Sequence, residues 1–113
     1  DPDAHSWIIS RANNVVSDLS IKKAISSNPK NDHATTGIFW FKKASIFLKI
    51  LNEMIDAKDM LDNKYYVDKT IPYYLKDKLV VQFLDVEYFC WGTPQDFENY
   101  EKTFQYWLDF HCK

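Results

Sequence analysis

Two short, largely apolar runs near the start of the sequence predict a pair of strands. The first run is Ser6–Ser10 and the second is Val15–Ile21. Four residues separate them, and two of these are the adjacent Asn13 and Asn14, which favour a turn. The pattern therefore predicts a β-hairpin.

Two further runs of β-forming residues follow later in the chain. Thr36–Phe41 comes after the polar loop Ser26–His33 and predicts a buried strand. Leu79–Leu84 is rich in β-branched and aromatic residues and predicts another. Asp85–Cys90 follows as a second short strand or as an extended continuation, with one face in water because acidic and apolar residues alternate there.

Two helices are predicted in the middle of the chain. Ser45–Ala57 has apolar residues at the i, i+4, i+7 and i+8 positions of one helical face, namely Phe47, Leu51, Met54 and Ile55. Asp68–Lys76 predicts a shorter helix, which Pro72 should shorten or bend. Its inward-facing residues are expected to be Ile71, Tyr74 and Leu75.

A third helix is predicted to open near residue 93. Thr93 suits the N-cap, Pro94 the first helical position and Asp96 the acidic first turn. The helix carries an aromatic stripe, which we expect to pack it onto the body of the protein: Phe97, Tyr100, Phe104, Trp107 and Leu108.

Composition narrows the class of protein. The chain has 113 residues, of which 46% are hydrophobic and 17% aromatic, and its net charge is −2. Residues 1–113 are therefore expected to form one small packed domain or part of a larger one. No stretch concentrates lysine and arginine as nucleic-acid binding requires, and no apolar run approaches the roughly 20 residues of a membrane span. Because the first residue is Asp1 and not Met, we expect a truncated or processed chain. Cys90 and Cys112 form no CxxC pair and are expected to be reduced thiols.

Three segments, in order, carry a family resemblance. They are Ile21–Ser26, His33–Lys43 and Cys90–Phe97, with Tyr65–Asp68 between the last two. They resemble the E-K-x-x-I-S, A-x-x-G-I-(Y/F)-(Y/F)-F and G-T-P-x-D-L segments of sugar-1-phosphate nucleotidyltransferases. The resemblance covers most of the chain and points to the C-terminal portion of such an enzyme.

The resemblance implies a fold and an activity. The fold would be α/β, part of a Rossmann-like nucleotidyltransferase fold with a mixed sheet and flanking helices. Such enzymes join a nucleoside triphosphate to a sugar 1-phosphate and release pyrophosphate, with Mg²⁺ as cofactor in the full-length enzyme. The family's G-x-G-x-R loop has no counterpart here, so this chain alone is expected to be inactive, and no catalytic residue is assigned.

The resemblance also suggests substrate-binding residues. Lys22 falls at the position of the family's phosphate-binding lysine, although an ordinary solvated lysine beside Lys23 is the alternative. Thr35, Gly37 and Phe39 match positions that line the sugar pocket, and Gly37 would let a ligand approach the backbone closely. For Phe39, packing in a core strand is an equal alternative.

Two neighbouring polar residues have weaker cases. Asp68 could face the same pocket, or it could be a helix N-cap. His33 could contact the ligand, but a solvated loop histidine is the favoured interpretation.

Two positions depart from the family pattern. Ile21 stands where many members have a glutamate that binds sugar hydroxyls, and an aliphatic side chain accepts no hydrogen bond. Cys90 stands where many have a Mg²⁺-binding aspartate, and thiolate is a poor ligand for that cation. Asp85 or Glu87 would compensate only in a different register, so no metal ligand is assigned.

Three functions follow from these observations. The first is the sugar-phosphate-binding part of a cytoplasmic nucleotidyltransferase, for precursors of capsule or surface polysaccharide. The second, which Ile21 and Cys90 favour, is a non-catalytic sugar-phosphate or nucleotide-sugar binding or regulatory domain. The third is an interaction module that uses exposed aromatic residues of the last helix. A homo-oligomer is also expected, because a truncated sheet would leave an exposed edge.

Overall fold

The computed structural model describes residues 5–111 and contains both helices and a small sheet. The sheet has three strands in the order β2-β1-β3: β1 is Trp7–Arg11, β2 is Val15–Ser20 and β3 is His33–Ala34. Both neighbours of β1 run antiparallel to it. The α/β class is therefore confirmed, but the sheet that these residues form is antiparallel and not mixed.

The predicted hairpin is confirmed. Strands β1 and β2 pair from Trp7 opposite Ser20 to Arg11 opposite Val15, with a bulge between Ile9 and Ser10. The connection Ala12–Asn14 is a short 3₁₀ turn, in which Asn13 and Asn14 adopt left-handed φ values of 62° and 56°. Asparagine tolerates that conformation better than most residues, so the turn forms where the asparagine pair occurs.

A small hydrophobic core lies between the hairpin and the segment 71–83. Its buried centre consists of Val16, Leu19 and Ile71. Partly buried side chains surround that centre: Ile8, Ile21, Phe39, Leu75, Val81 and Phe83.

The first predicted helix is confirmed as α1, Ala44–Asp56. Its most buried residues are Ile50 and Met54, both fully closed to solvent. Ile55, which was expected to face inward, is largely exposed instead. The buried face is therefore rotated slightly from the predicted stripe, because the helix packs against Val67–Lys76 along the side that carries Ile50.

The second predicted helix is present in two parts. A 3₁₀ helix, Val67–Thr70, leads into α2, Ile71–Lys76. Pro72 lies in the first turn of α2. A backbone N–H in the first turn has no acceptor within the helix, so the lack of one in proline costs no helical hydrogen bond. Proline thus divides the helix at its start, and the predicted inward residue Ile71 is buried.

The predicted strand Thr36–Phe41 is wrong. The segment has no regular structure, bends at Gly37 with φ 80°, and pairs with no strand among the described residues. Phe39 and Phe41 pack inward, whereas Ile38 and Trp40 are each 82% exposed. A strand needs a second strand to hydrogen-bond with as well as β-forming residues. Here no such partner is present among the described residues, and the side chains of one face are exposed to solvent.

The predicted strand Leu79–Leu84 is replaced by a single bridge to the hairpin. Gln82 bridges Val15, the Val16 N–H donates to the Val81 carbonyl at 2.9 Å, and the Phe83 N–H donates to the Asn14 carbonyl at 3.1 Å. The residues 85–90 continue without regular structure.

The third predicted helix is confirmed as α3, Pro94–His111, with Thr93 as its cap: the Asp96 N–H donates to Thr93 Oγ1 at 3.1 Å. Its expected packing onto the body is wrong, because none of its residues is buried. The helix projects from the rest, and the molecule measures 57 × 34 × 32 Å. Its radius of gyration of 17.4 Å exceeds the roughly 13 Å of a compact chain of this length. No helix among residues 5–111 has the length and apolar character to cross a membrane.

Candidate functional site

The register of the sheet brings three polar segments to one end of it. Trp7 pairs with Ser20 on one side and with Ala34 on the other. Residues that follow β2 and β3 therefore meet beside the residue that precedes β1. Lys22, Thr35 and Ser6 occupy these positions, and we call this end of the sheet the polar end.

Lys22 lies against Tyr66 at the polar end. Its ammonium is 4.9 Å from the centre of the Tyr66 ring and 3.4 Å from the phenolic oxygen. No carboxylate among residues 5–111 forms an ion pair with it. The Lys22 backbone is left-handed, with φ 49°, an uncommon conformation for a side chain of this kind. The site thus holds a half-buried cation with no anionic partner in the described part of the chain.

Asp68 reaches the polar end through Ser6, and one of its carboxylate oxygens is buried without a hydrogen-bond partner among residues 5–111. The hydroxyl of the buried Ser6 donates to Asp68 Oδ2, whereas Oδ1 is closed to solvent and has no hydrogen-bond donor among the described residues. Such a group is uncommon, because an unsatisfied buried acceptor costs about 1–3 kcal/mol. Asp68 is not a helix N-cap, since that position of the 3₁₀ helix belongs to Tyr66.

The predicted sugar-pocket residues differ in where they lie. The Thr35 N–H donates to the Ser6 carbonyl at 2.8 Å, so Thr35 belongs to the polar end. Gly37 adopts φ 80°, and a Cβ added there would meet no atom within 4 Å. The backbone conformation at residue 37 therefore favours glycine, whereas crowding by neighbouring atoms does not require it. Phe39 packs against the hydrophobic core, as its alternative interpretation anticipated.

His33 and Ile21 have defined neighbours that involve no ligand. His33 Nδ1 lies 3.0 Å from Asp85 Oδ1, and its ring packs on Phe83 with the ring centres 4.5 Å apart. Ile21, the departure from the family's glutamate, packs against the core. Apolar packing therefore accounts for the residue at this position.

The position around Cys90, where the resemblance would put a metal ligand, does not fit Mg²⁺. Cys90 is an exposed free thiol that donates to Asp96 Oδ2 at 3.5 Å. The Thr93 hydroxyl donates to the same oxygen at 2.7 Å. These two hydrogen bonds, that of Thr93 first, lower the pKa of the Asp96 carboxyl. One carboxylate and one thiol are a poor set for a cation that prefers several oxygen ligands. Residues 5–111 contain no cluster of three or more potential metal ligands.

Sequence reasoning missed two residues of the polar end. Ser6 was assigned only to a strand, and Tyr66 only to a family-like segment. The serine at the start of a central strand is a signal only once the strand order is known, because the order decides which segments meet there. The pairing of Lys22 with Tyr66 spans 44 residues and has no local sequence signal.

Comparisons with known proteins identify no relative. The chain matches no protein-family model, no curated protein and no solved structure.

Proposed function

We propose that this chain is the sugar-phosphate-binding part of a nucleotidyltransferase that makes nucleoside-diphosphate sugars from a nucleoside triphosphate and a sugar 1-phosphate. The enclosing fold would be the Rossmann-like one that the three motifs suggest. The observation that carries the proposal is the polar end of the sheet. There Lys22, which has no anionic partner among residues 5–111, contacts Tyr66, and two residues further along the chain Asp68 has a buried oxygen without a described donor.

Each group at the polar end has a role in this proposal. The Lys22 ammonium takes a phosphate oxygen, since a lysine is a compact cation suited to phosphate. Tyr66 orients the ammonium through its ring and hydroxyl. Asp68 Oδ1 accepts a hydrogen bond from a sugar hydroxyl, which supplies the missing donor. Because Oδ1 is closed to solvent, we expect the side chains above it to move when the sugar binds.

A non-catalytic sugar-phosphate or nucleotide-sugar binding domain is the second candidate. Ile21 in the core and Cys90 at the metal position both favour it, because neither can supply the oxygen ligand that the family pattern places there. Both candidates use the same phosphate site and differ only in chemistry.

The phosphate site is tested by calorimetric titration of a panel of hexose 1-phosphates into the wild type and Lys22→Ala. Losing a charged hydrogen bond costs about 1.5–3 kcal/mol, so the variant should bind roughly 10- to 100-fold more weakly. Lys23→Ala is the matched control, because Lys23 is the exposed neighbour and should leave affinity unchanged.

Two outcomes contradict the proposal. Equal affinities of wild type and Lys22→Ala would remove Lys22 from the site. Absence of sugar-phosphate binding to the wild type would remove the site altogether.

The coding sequence upstream of Asp1 separates the two candidates. A strand followed by a G-x-G-x-R loop there supports the enzyme, and pyrophosphate release by the longer protein would follow. A different upstream sequence supports the binding domain.

A further inference from the structure

The last helix forms one wall of an open groove. The opposite wall is the segment that carries Phe89 and Cys90, and the cavity between them measures about 560 Å³. We call it the α3 groove. Its apolar surface comes from Phe89, Tyr100, Phe104 and Trp107, and Asp96 supplies a carboxylate. A volume in this range is typical of pockets that bury a ligand or a large side chain.

The segment that forms the α3 groove is acidic overall, and among its carboxylates Asp96 lines the groove. Residues 85–111 contain one lysine, Lys102, against six carboxylates: Asp85, Glu87, Asp96, Glu98, Glu101 and Asp109. No basic side chain lines the groove. An occupant with apolar and cationic groups is therefore the best match.

One exposed segment of the same chain has this character. Ile38 and Trp40 are each 82% exposed, and Lys42 and Lys43 follow them at the surface. Neither lysine forms an ion pair within residues 5–111. Between residues 33 and 52 there are three lysines and no carboxylate.

The segment is fixed so that these groups face outward. Exposed and partly buried side chains alternate along Ile38–Phe41. Phe39 packs on the core, and Phe41 stacks on Phe47 with the ring centres 4.1 Å apart. The intervening Trp40 therefore points away from its own body, where only another molecule or a distant part of the chain can cover it.

We propose that Ile38–Lys43 of a second copy of this chain occupies the α3 groove, and that two copies exchange this contact reciprocally. Trp40 enters between the aromatic side chains, and Lys42 and Lys43 lie toward Asp96 and the negative charge of the segment that forms the groove. Reciprocal exchange covers both exposed surfaces of both copies and closes a two-fold dimer. A one-way contact would leave the α3 groove of one copy and the Ile38–Lys43 segment of the other uncovered. Further copies would bind there, and the assembly would grow into a filament. This inference does not rest on the proposed function.

The first experiment measures dimerisation by sedimentation equilibrium over a concentration series. Wild type should be dimeric at the upper end. Trp40→Ser and Trp107→Ala should each weaken the dimer by about 30-fold or more, as the loss of a central aromatic anchor does. Leu108→Ala is the control, because Leu108 is an exposed apolar residue of α3 that does not line the groove, and it should dimerise like wild type.

The second experiment mixes the two defective variants. Trp40→Ser keeps an intact groove and Trp107→Ala keeps an intact Trp40, so a mixed pair contains one complete contact. With a fluorescent label on one variant, the mixture should form a heterodimer more tightly than either variant forms a homodimer. Helix content by circular dichroism should match wild type in every variant, because the changed side chains are exposed.

Several results would overturn the inference. A wild type that stays monomeric at all concentrations means that the groove takes another molecule or an internal segment. A dimer that survives both substitutions means that the interface lies elsewhere. Failure of the two variants to complement each other means that Trp40 does not enter the partner's groove.

Discussion

The helices α1 and α3 carry hydrophobic stripes of similar spacing but occupy opposite environments. In α1 the stripe lies on Val67–Lys76, and Ile50 and Met54 are closed to solvent. In α3 no side chain is buried, and Phe104 and Trp107 remain about half exposed. The comparison shows that helical periodicity identifies the apolar face of a helix but not the surface that covers it.

The largest expected difference between the two helices is in their contribution to stability. Met54→Ala should lower the free energy of unfolding by about 2–5 kcal/mol, because it leaves a cavity in a closed core. Phe104→Ala should change it by less than about 0.5 kcal/mol in the monomer, where its ring faces water. Urea unfolding followed by circular dichroism, at concentrations where the chain is monomeric, measures both. Similar losses for the two variants would show that α3 is packed as firmly as α1.

A smaller effect is expected at the polar end, on the body side of the comparison. Ser6→Ala removes the hydroxyl that donates to Asp68 Oδ2. Both carboxylate oxygens of Asp68 are then without a hydrogen-bond donor among residues 5–111. We expect a loss of about 1–3 kcal/mol in unfolding free energy. Ser10→Ala, at an exposed serine of the adjoining strand β1, is the control and should change it by no more than about 0.5 kcal/mol. A Ser6→Ala variant as stable as wild type would mean that the Asp68 carboxyl is satisfied in another way.

The smallest effect is local to α3 and depends on pH. The folded pKa of Asp96 lies below its ordinary value of 3.8 because the Thr93 hydroxyl and then the Cys90 thiol donate to it. The carboxylate therefore stabilises the helix start above that ordinary value, and this stabilisation disappears as pH falls through the lower folded pKa. Below about pH 4, the NMR chemical shifts of the α3 amides should move away from helical values before those of the α1 amides change.

The Asp96 prediction has two matched variants. Asp96→Asn should lose some helix at neutral pH and should lose most of the acid dependence of the first turn. Glu101→Gln changes a carboxylate further along α3 and should keep that dependence. Parallel acid responses of wild type and Asp96→Asn would rule out the Thr93–Asp96 cap as the cause.

The elements that the sequence predicted correctly are those fixed by nearby residues. The hairpin depends on Asn13 and Asn14, and the start of α3 depends on Thr93 and Pro94. Each of these signals acts within a few residues of the feature it sets, so the local sequence is sufficient.

The elements that it predicted wrongly depend on distant partners. Thr36–Phe41 has the residues of a buried strand, but a strand forms only where another backbone pairs with it, and none among the described residues does. The packing expected for α3 likewise depends on a distant segment, and none among residues 5–111 buries its side chains.

The candidate site was predictable in part. The family-like motifs indicated Lys22 and Thr35, and the sheet register brings both to the same end. Gly37 and Phe39 are explained by backbone conformation and core packing. The contribution of Ser6 depends on the strand order, which no short motif encodes.

The 57 Å long axis of the molecule has a practical consequence for measuring its molecular mass in solution. An elongated particle meets more friction in solvent than a sphere of the same mass. A single copy should therefore elute early from a gel-filtration column and mimic a heavier species. Light scattering and equilibrium sedimentation respond to mass without regard to outline, and they will tell one copy from two.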